Sequence, residues 1–218
     1  MGILDQTVTL SGRLVTLPPI GREDYTTLFR WRSSLEIVHM LNFRRNIPTY
    51  EQFVAELEPM LAQSVLLLIR KASDNTPIGY ALTYQMNPWD GWMSVGIYVE
   101  PEYRLKGHGG EAALLCIDAL FRWYPIRKIH TEIYEFAESV LQMLQAMGFE
   151  QQGYLPDHYW HGDRSWGLYN MVLTRERWQE QREHYAAILT VQRQYEELVE
   201  THPDGHLSES DVEPGGVA

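Results

Sequence analysis

The sequence predicts an α/β fold with a mixed β-sheet flanked by helices. Three observations support this class. Six apolar runs of strand length occur from Ser64 onward, two further segments have helical apolar spacing, and these helices fall between strands in the order βββαβαββ. With 218 residues and an apolar fraction of 44%, the chain is long enough for one domain with a sizeable core.

The N-terminal part is predicted to contain a hairpin followed by helices. Apolar and polar residues alternate around Ser11-Gly12, which is typical of paired strands. Thr49 with Gln52 three residues later matches a capping box. The predicted elements are a strand or hairpin from Thr7 to Leu17, a helix from Asp24 through Trp31, a short helix from Ser33 and a helix from Thr49 to about Ala62.

The later elements follow from apolar runs and turn residues. The turns Ser73 to Pro77 and Asn87 to Gly91 separate the first three strands, which favours an antiparallel meander. A polar loop, His161 to Ser165, divides the last two strands. The predicted strands are Ser64 to Lys71, Ile78 to Gln85, Trp92 to Val99, Lys128 to Tyr134, Phe149 to Tyr154 and Gly167 to Leu173, with helices at Glu111 to Trp123 and Ser139 to Met147.

The C-terminal part is predicted to be a long helix and an acidic tail. Apolar and aromatic residues recur at helical spacing from Arg175 to Thr201, whereas Pro203 to Ala218 is acidic and has little to bury. We therefore expect a folded domain over residues 1–178, a C-terminal helix over 179–201 and a disordered tail over 202–218. Nine acids and two bases in residues 179–218 give −7 of the net charge of −11, which leaves −4 for the rest.

Composition excludes several classes of protein. A net charge of −11 is opposite to the basic face that nucleic-acid binding needs. No apolar run approaches the ~20 residues that cross a membrane, and the N-terminus has no basic region followed by an apolar stretch. Cys116 is the only cysteine, and its apolar helical surroundings predict a buried, inert thiol. Together these features favour the cytoplasm.

The most informative segment joins the third strand to the following helix. It leaves the strand at Pro101, continues as Arg104-x-x-Gly107-x-Gly109-Gly110 and enters an apolar helix. Glycines permit positive φ angles and a close approach of backbone N–H groups to an anion. The unpaired N–H groups and the dipole of a helix N-terminus favour a pyrophosphate there. Alone, the pattern also fits an ordinary tight strand-to-helix turn.

Three motifs in a fixed order extend this prediction. They are Gly79-Tyr80-Ala81, then Gly96-Ile97-Tyr98-Val99 followed by the loop from Arg104 to Ala112, then Leu144-x-x-Met147-Gly148-Phe149. From about Leu14 to Trp178 the chain resembles the GNAT superfamily of acyl-CoA-dependent N-acyltransferases. Within that superfamily it is most similar to the ribosomal-protein-alanine and spermidine acetyltransferase branch.

The resemblance implies a GNAT-like, mostly antiparallel sheet with a splayed central pair of strands, and acetyl-CoA as co-substrate. The loop amides would bind the CoA diphosphate, with Arg104 and Lys106 supplying charge. The preceding strand would pair with the pantetheine amides as an added strand does. The implied cofactor-binding residues are Ile97, Tyr98, Val99, Arg104, Leu105, Lys106, Gly107, His108, Gly109 and Gly110.

Three positions depart from the family's usual proton-transfer residues. Ser94 stands where many members have an acidic base, and Ala137 stands where many have Asn. Leu144 replaces a Tyr that protonates the departing CoA thiolate. The resemblance therefore supports cofactor binding better than it supports the usual proton transfers.

The fourth predicted strand offers replacements, because its alternation puts His130, Glu132 and Tyr134 on one face. The acceptor amine must lose a proton, directly or through water, and Glu132 is the first candidate base, followed by His130. Tyr134, or alternatively Tyr159 or Tyr169, is a candidate acid. Such strand residues are also often simply paired or solvated, and a thiolate with a reference pKa of ~8.5 also leaves without an acid.

An acceptor pocket is expected between the first helices, the Asn87 to Gly91 turn and the Asp157 to Trp166 loop. Aromatic residues concentrated there would form a wall for an apolar or cationic acceptor, or serve only as core and interface aromatics. These residues are Trp89, Trp92, Tyr159, Trp160 and Trp166. Arg44-Arg45 would contact an anionic acceptor or a cofactor phosphate, or lie solvated in a loop. The histidines and aspartates of residues 157–163 crowd one loop, so no metal is predicted.

These observations predict an acetyl-CoA-dependent N-acetyltransferase in which a primary amine attacks the thioester directly in a ternary complex. The acceptor would be a small-molecule amine or a protein N-terminus, with no nucleic acid and no membrane as partner. Two alternatives stay open: a non-catalytic acyl-CoA sensor or binding module, and an O- or S-acyltransferase in a biosynthetic pathway. The C-terminal helix would pack on the core or pair with a second copy in a homodimer.

Overall fold

The computed structural model describes residues 9–38 and 46–189. The predicted loop at Arg44-Arg45, the end of the predicted C-terminal helix and the predicted acidic tail lie outside the described residues.

One eight-stranded sheet has the order β1-β2-β3-β4-β5-β6-β8-β7. Neighbouring strands are antiparallel except β5 and β6, which are parallel. This confirms the predicted mixed, mostly antiparallel sheet and the meander of its central strands. The strands are β1 Leu10–Ser11, β2 Val15–Leu17, β3 Leu66–Lys71, β4 Pro77–Asn87, β5 Trp92–Val99, β6 Lys128–Tyr134, β7 Glu150–His161 and β8 Arg164–Thr174.

Helices cover both faces of the sheet. The predicted capping box is formed, since Gln52 N–H donates to Thr49 Oγ1 at 3.3 Å and Thr49 N–H donates to Gln52 Oε1 at 2.9 Å. The α-helices are α1 Tyr25–Arg32, α2 Tyr50–Gln63, α3 His108–Trp123, α4 Glu138–Ala146 and α5 Arg175–Arg182.

The two faces of the sheet carry two hydrophobic layers. Met93 and Val95 of β5 share a buried cluster with α3, whereas Tyr98 shares one with Trp31 of α1 and Phe53 of α2. Because successive strand residues point to opposite faces, the even-numbered residues of β5 lie on the side of α1 and α2. We call this side the α1–α2 face.

A buried carboxylate fixes α5 against α3. Asp118 of α3 is only 3% exposed and accepts hydrogen bonds from Arg182 Nε and from Trp178 Nε1, the latter at 3.3 Å. Arg122 forms a further ion pair with it at 2.9 Å. The charge of Asp118 is therefore paired on several sides, as a buried charge requires.

The loop predicted between the last two strands is a tight hairpin turn. β7 extends to His161 and β8 begins at Arg164, so most of Asp157 to Trp166 is strand. A bulge interrupts the pairing between Leu155 and Tyr159, where Asp157 has φ +50°. The prediction was wrong because β7 is an exposed edge strand, which needs no apolar alternation.

In its described part, the predicted C-terminal helix is interrupted. α5 ends at Arg182, a 3-10 turn, Glu183–Tyr185, follows it, and residues 186–189 are helical again. The Tyr185 hydroxyl donates to the carbonyl of Ala146 at 3.0 Å, and its ring stacks on Trp178 at 6.1 Å. These contacts hold the turn between α4 and α5.

Within the described residues, no helix is long and apolar enough to cross a membrane.

Candidate active site

The parallel strands β5 and β6 part after three residues. Residues 92–94 pair with residues 128–130, and no further register is formed between the two strands. β5 nonetheless continues to Val99 and β6 to Tyr134. The predicted splay is confirmed, and it leaves two strand edges on either side of a gap that we call the β5–β6 gap.

The β5 edge presents the backbone groups of alternate residues to this gap. Glu100 N–H donates to a β4 carbonyl at 2.9 Å, so Glu100 points away from the gap. Because backbone groups alternate sides along a strand, Tyr98 also points to β4, whereas Ile97 and Val99 point into the gap. Of the three residues predicted to pair with pantetheine, Ile97 and Val99 therefore present their N–H groups and Tyr98 does not.

The glycine-rich loop presents a row of N–H groups at the start of α3. Leu105 has φ +58° and Gly107 has φ +89°, and Gly107 is the N-cap residue of the helix. The first helical hydrogen bond runs from Glu111 N–H to Gly107 O. The N–H groups of residues 105–110 have no acceptor within the described part of the chain. Since α3 begins at His108 rather than at Glu111 as predicted, Gly109 and Gly110 lie in its first turn.

The space around the loop tests its fit to a diphosphate. A Cβ on Gly107 would need the left-handed φ and would lie 3.0 Å from Leu14 Cδ1. A Cβ on Gly109 would lie 3.4 Å from Val99 Cγ2, whereas Gly110 has more room. The three glycines of the loop lie at the helix N-terminus and let an anion approach the backbone closely, so the residues present fit the diphosphate of CoA.

The charged side chains of the loop contact protein groups. Arg104 Nε donates to the carbonyl of Val99 at 2.8 Å, and its Nη1 pairs with Glu36 Oε1 at 2.6 Å. Lys106 Nζ donates to the carbonyl of Glu102 at 2.6 Å. His108 Nδ1 lies 3.3 Å from a backbone carbonyl oxygen. The loop's open donors are therefore backbone amides, and the charge contribution of Arg104 and Lys106 stays a prediction.

His130 lies at the base of the β5–β6 gap, on the α1–α2 face. It is in register with Ser94 across the parallel pair, and its ring centroid is 5.2 Å from that of Trp92. Ser94 is 4% exposed, and its hydroxyl donates to Gln85 Oε1 at 3.4 Å. The residue that replaces the family's usual base is thus held in a local hydrogen bond.

Two buried polar atoms lie beside the gap, His130 Nε2 and Asn170 Oδ1, and the two side chains interact with each other. Asn170 lies on β8 opposite Glu132, one diagonal step from His130. Burial lowers the pKa of His130, and the charges of Lys128 and Arg127 lower it further, while Asn170 opposes them. A neutral imidazole has one accepting nitrogen and an amide oxygen has two lone pairs, so the pair keeps acceptor capacity for a donor group such as an amine.

Glu132 and Tyr134 continue the same strand face beyond His130. The Glu132 side chain is exposed. Tyr84 of β4 also lies on this face, because its ring is 3.6 Å from the position of a Cβ on Gly96. Burial, with a smaller contribution from the charge of Glu132, raises the pKa of Tyr84 to about 12. The three predicted catalytic residues of β6, His130, Glu132 and Tyr134, thus lie on one face of the sheet beside the gap, and Tyr84 lies on the same face.

Sequence reasoning missed Tyr84 and Asn170 as site residues. Both are polar residues in ordinary strand patterns, and no spacing along the chain connects them with His130 or Glu132. Their placement depends on how β4 and β8 are registered against β5 and β6. A cross-strand register is a property of the assembled sheet and leaves no local signal.

The predicted single aromatic wall is wrong, because its members form separate groups. One group, Trp89 and Trp92, lies at the β4–β5 turn, and the other, at the β7–β8 hairpin, consists of Tyr134, Phe136, Tyr159 and Trp166. Trp92 is in register with Lys128, and six residues of β6, about 20 Å, separate that position from Tyr134. Trp160 alternates to the other side of β7 from Tyr159 and is 61% exposed.

The remaining candidate groups take no part in proton transfer. Leu144 is buried, and Ala137 is the N-cap residue of α4 without a side-chain hydrogen bond. Cys116 is the buried thiol that was predicted, and burial raises its pKa to about 12. No group of three or more metal-ligating side chains occurs in residues 9–38 and 46–189.

The fold, the splayed strands and the glycine-rich helix start define an acetyl-CoA-dependent acyltransferase. A family model described as an acetyltransferase (GNAT) domain matches residues 14–150, which is more than half of the chain. The protein belongs to the GNAT acetyltransferase family, whose members take the acetyl group from acetyl-CoA.

The individual proteins that are similar to this chain are acetyltransferases. It is 25% identical over 146 residues to the SPbeta prophage-derived uncharacterized N-acetyltransferase YokL of Bacillus subtilis, covering 66% of this chain and 81% of YokL. A spermidine N-acetyltransferase from Vibrio cholerae, solved with CoA and spermine, has a TM-score of 0.68 at 14% identity, covering 76% of this chain and 98% of that one. A GNAT-family acetyltransferase from Bacillus anthracis has a TM-score of 0.63 at 15% identity, covering 78% and 99%. The two solved structures share the fold.

Proposed function

We propose that this protein transfers an acetyl group from acetyl-CoA to a primary amine, by direct attack in a ternary complex. One juxtaposition carries the proposal. The β5–β6 gap has open backbone donors at the start of α3 and, at its base, the buried side chain of His130, which contacts the side chain of Asn170 on β8. The backbone N–H groups match the anionic diphosphate of acetyl-CoA. The buried side chains match a group that donates hydrogen bonds, such as an amine.

The donor substrate binds mainly to main-chain groups in this proposal. The amides of residues 105–110 hold the diphosphate, and the N–H groups of Ile97 and Val99 pair with the pantetheine arm as a neighbouring strand would. Bound acetyl-CoA supplies the activated thioester. Because these donors belong to a helix start and a strand edge, they need little reordering on binding.

The acceptor amine approaches on the α1–α2 face. His130 Nε2 and Asn170 Oδ1 accept hydrogen bonds from its N–H groups and orient the nitrogen. The lowered pKa of His130 keeps the ring neutral near pH 7, so it does not repel a cationic amine. The Vibrio cholerae relative that was solved with spermine is consistent with an amine acceptor.

Proton transfer is assigned to side chains on the same face. Glu132 takes the amine proton, directly or through water, as the nitrogen forms the new C–N bond. The C–S bond breaks, and CoA leaves as the thiol with a proton from Tyr134 or from water. The pKa of Tyr84, raised to about 12, keeps its hydroxyl protonated, so Tyr84 donates a hydrogen bond and keeps its proton beside a thiolate whose reference pKa is ~8.5.

Isothermal titration with acetyl-CoA tests the donor site. We expect Gly107→Ala to weaken binding by about tenfold or more, since the added Cβ strains the left-handed residue and meets Leu14. Gly162→Ala is the matched control, because Gly162 has φ +69° at the β7–β8 turn and nothing within 4 Å of the added Cβ. Equal affinity of the two variants would overturn the assignment of the loop.

Release of CoA, followed with a thiol reagent across a panel of amines, tests the reaction. We expect amine-dependent release, and a fall in kcat of about 100-fold for Glu132→Gln with acetyl-CoA binding retained. Mass spectrometry of the product separates an amide from the ester of an O-acyltransferase. Binding of acetyl-CoA without turnover of any amine would instead indicate a sensor.

A further inference from the structure

A shallow groove of about 580 Å³, wide open to solvent, lies beside the base of the β5–β6 gap. It is lined by Gln85, Met86, Asn87, Pro88, Trp89 and Trp92. Two contacts connect it with the proposed acceptor site. The ring of Trp92 is 5.2 Å from the ring of His130, and the side chain of Gln85 accepts the hydrogen bond from Ser94. A molecule whose amine reaches His130 therefore has room for its remaining part in this groove.

Hydrogen bonds brace the backbone of the turn that carries Trp89, whose side chain is 95% exposed. Asn87 Oδ1 accepts hydrogen bonds from the N–H groups of Trp89 at 3.1 Å and Asp90 at 3.0 Å. Arg127, the residue before β6, adds two more, since its Nε donates to the Asp90 carbonyl and its backbone N–H donates to the Gly91 carbonyl, both at 2.7 Å. A large aromatic side chain held out by a braced turn presents apolar area at little ordering cost.

Three charged side chains lie at the end of the groove formed by the β4–β5 turn. Arg127 carries a positive charge behind the turn, and Lys128 is in register with Trp92. Asp90 belongs to the turn, and its carboxylate accepts a hydrogen bond from the Asn87 side-chain amide at 2.8 Å. These two cations and one acid give that end no excess of negative charge to attract a polycation, while Met86, Pro88 and the two tryptophans supply apolar surface.

We propose that the groove binds the aromatic or apolar body of a monoamine acceptor, with Trp89 and Trp92 packed against it. This rests on the proposed function and narrows its substrate class to arylalkylamine-like compounds, as opposed to polyamines. The exposed Trp89 then has a role that folding does not require of it, since a side chain that is 95% exposed contributes little to the core.

The test compares 2-phenylethylamine, butylamine, spermidine and an alanine-initiated peptide at equal concentrations of neutral amine. We expect kcat/KM for 2-phenylethylamine to exceed the other values by about tenfold or more. Trp89→Ala should remove most of this preference, because it should raise KM for 2-phenylethylamine more than KM for butylamine. Trp160→Ala is the matched control, because it also deletes an exposed tryptophan but lies on β7, and it should change kcat/KM less than about twofold.

Several outcomes would overturn this inference while leaving the acetyltransferase proposal intact. They are a preference for spermidine, a preference for the peptide, or equal preference for 2-phenylethylamine in the wild type and Trp89→Ala. Calorimetric titration of 2-phenylethylamine into the CoA complex gives a readout that is independent of turnover. Binding weakened in Trp89→Ala but not in Trp160→Ala supports the groove even if no amine is acetylated, whereas no binding to the wild type refutes it.

Discussion

At the residue scale, the donor site depends on backbone conformation more than on side-chain charge. Leu105 has a positive φ and an 89% exposed side chain, a combination that costs about 1–2 kcal/mol without any packing gain. Gly107 adopts the same left-handed region two residues later at no steric cost. Strain that packing does not offset is typical of functional loops, and here it lies directly before the start of α3.

His130 should make stability depend on pH. Its pKa is lowered in the folded state, mainly by burial, so the unfolded chain binds the proton first as pH falls. The contribution of His130 to the free energy of unfolding should therefore be constant above the ordinary histidine pKa of about 6.5. At lower pH this contribution should decrease, until the folded state is protonated too. Urea denaturation of the wild type and His130→Gln at pH 8, 7, 6 and 5 measures this contribution.

The difference between the wild type and His130→Gln in how stability changes with pH measures the contribution of His130. His130→Gln should lose less stability than the wild type between pH 7 and pH 5, because the buried imidazole is gone. His158→Gln, which removes an exposed histidine on β7, controls for the loss of a histidine as such. Parallel curves for wild type and His130→Gln would contradict the burial of His130 at the base of the gap.

At the element scale, the start of α5 closes the end of α3. The guanidinium of Arg175 donates to the carbonyl oxygens of Phe121, Tyr124 and Ile126, the last two at 2.7 and 2.8 Å. The last carbonyls of a helix have no partner inside the helix, and a planar group with five donors satisfies several of them at once. The packing of α3 beneath β5, and with it the loop at the start of α3, depends on such ties.

Arg175→Met should destabilise the protein by about 2–3 kcal/mol, because three partly buried carbonyls lose a charged donor. Arg177→Met is the matched control on the same helix. Arg177 forms only an exposed pair with Glu180 at 3.0 Å, so its loss should cost no more than about 0.5 kcal/mol. Urea unfolding of both variants checks the difference, and similar losses would show that Arg175 is not an anchor.

At the scale of the whole molecule, the sequence predicted the elements better than their assembly. β5 and β6 occupy the predicted residues, and the capping box of α2 is formed, because apolar runs and caps act over a few residues. The two strands of the β7–β8 hairpin were predicted, but their continuation to His161 and from Arg164 was missed because neither face of β7 needs apolar residues. The distance between Trp92 and Tyr134 and the presence of Asn170 follow from strand register, which no local pattern encodes.

The same assembly leaves the two parts of the sheet joined across β5–β6 by three residue pairs only. CoA bound as proposed would occupy the remaining gap and supply hydrogen bonds to both the strand edge and the loop. Hydrogen exchange should therefore slow at the amides of Ile97, Val99 and residues 108–110 when CoA is added. Amides of the exposed edge strand β7 exchange through local fluctuations and serve as the control, since they should not change.

Thermal unfolding gives the matching global measurement. A ligand that binds only the folded state stabilises it by about 2.7 kcal/mol at 100 times its Kd, so CoA should raise the Tm of the wild type. At the same CoA concentration the rise should be smaller in Gly107→Ala than in Gly162→Ala, since only the first alters the loop. A rise in Tm with unchanged exchange at Ile97 and Val99 would mean that CoA binds elsewhere, and the strand edge would then have no part in holding the donor.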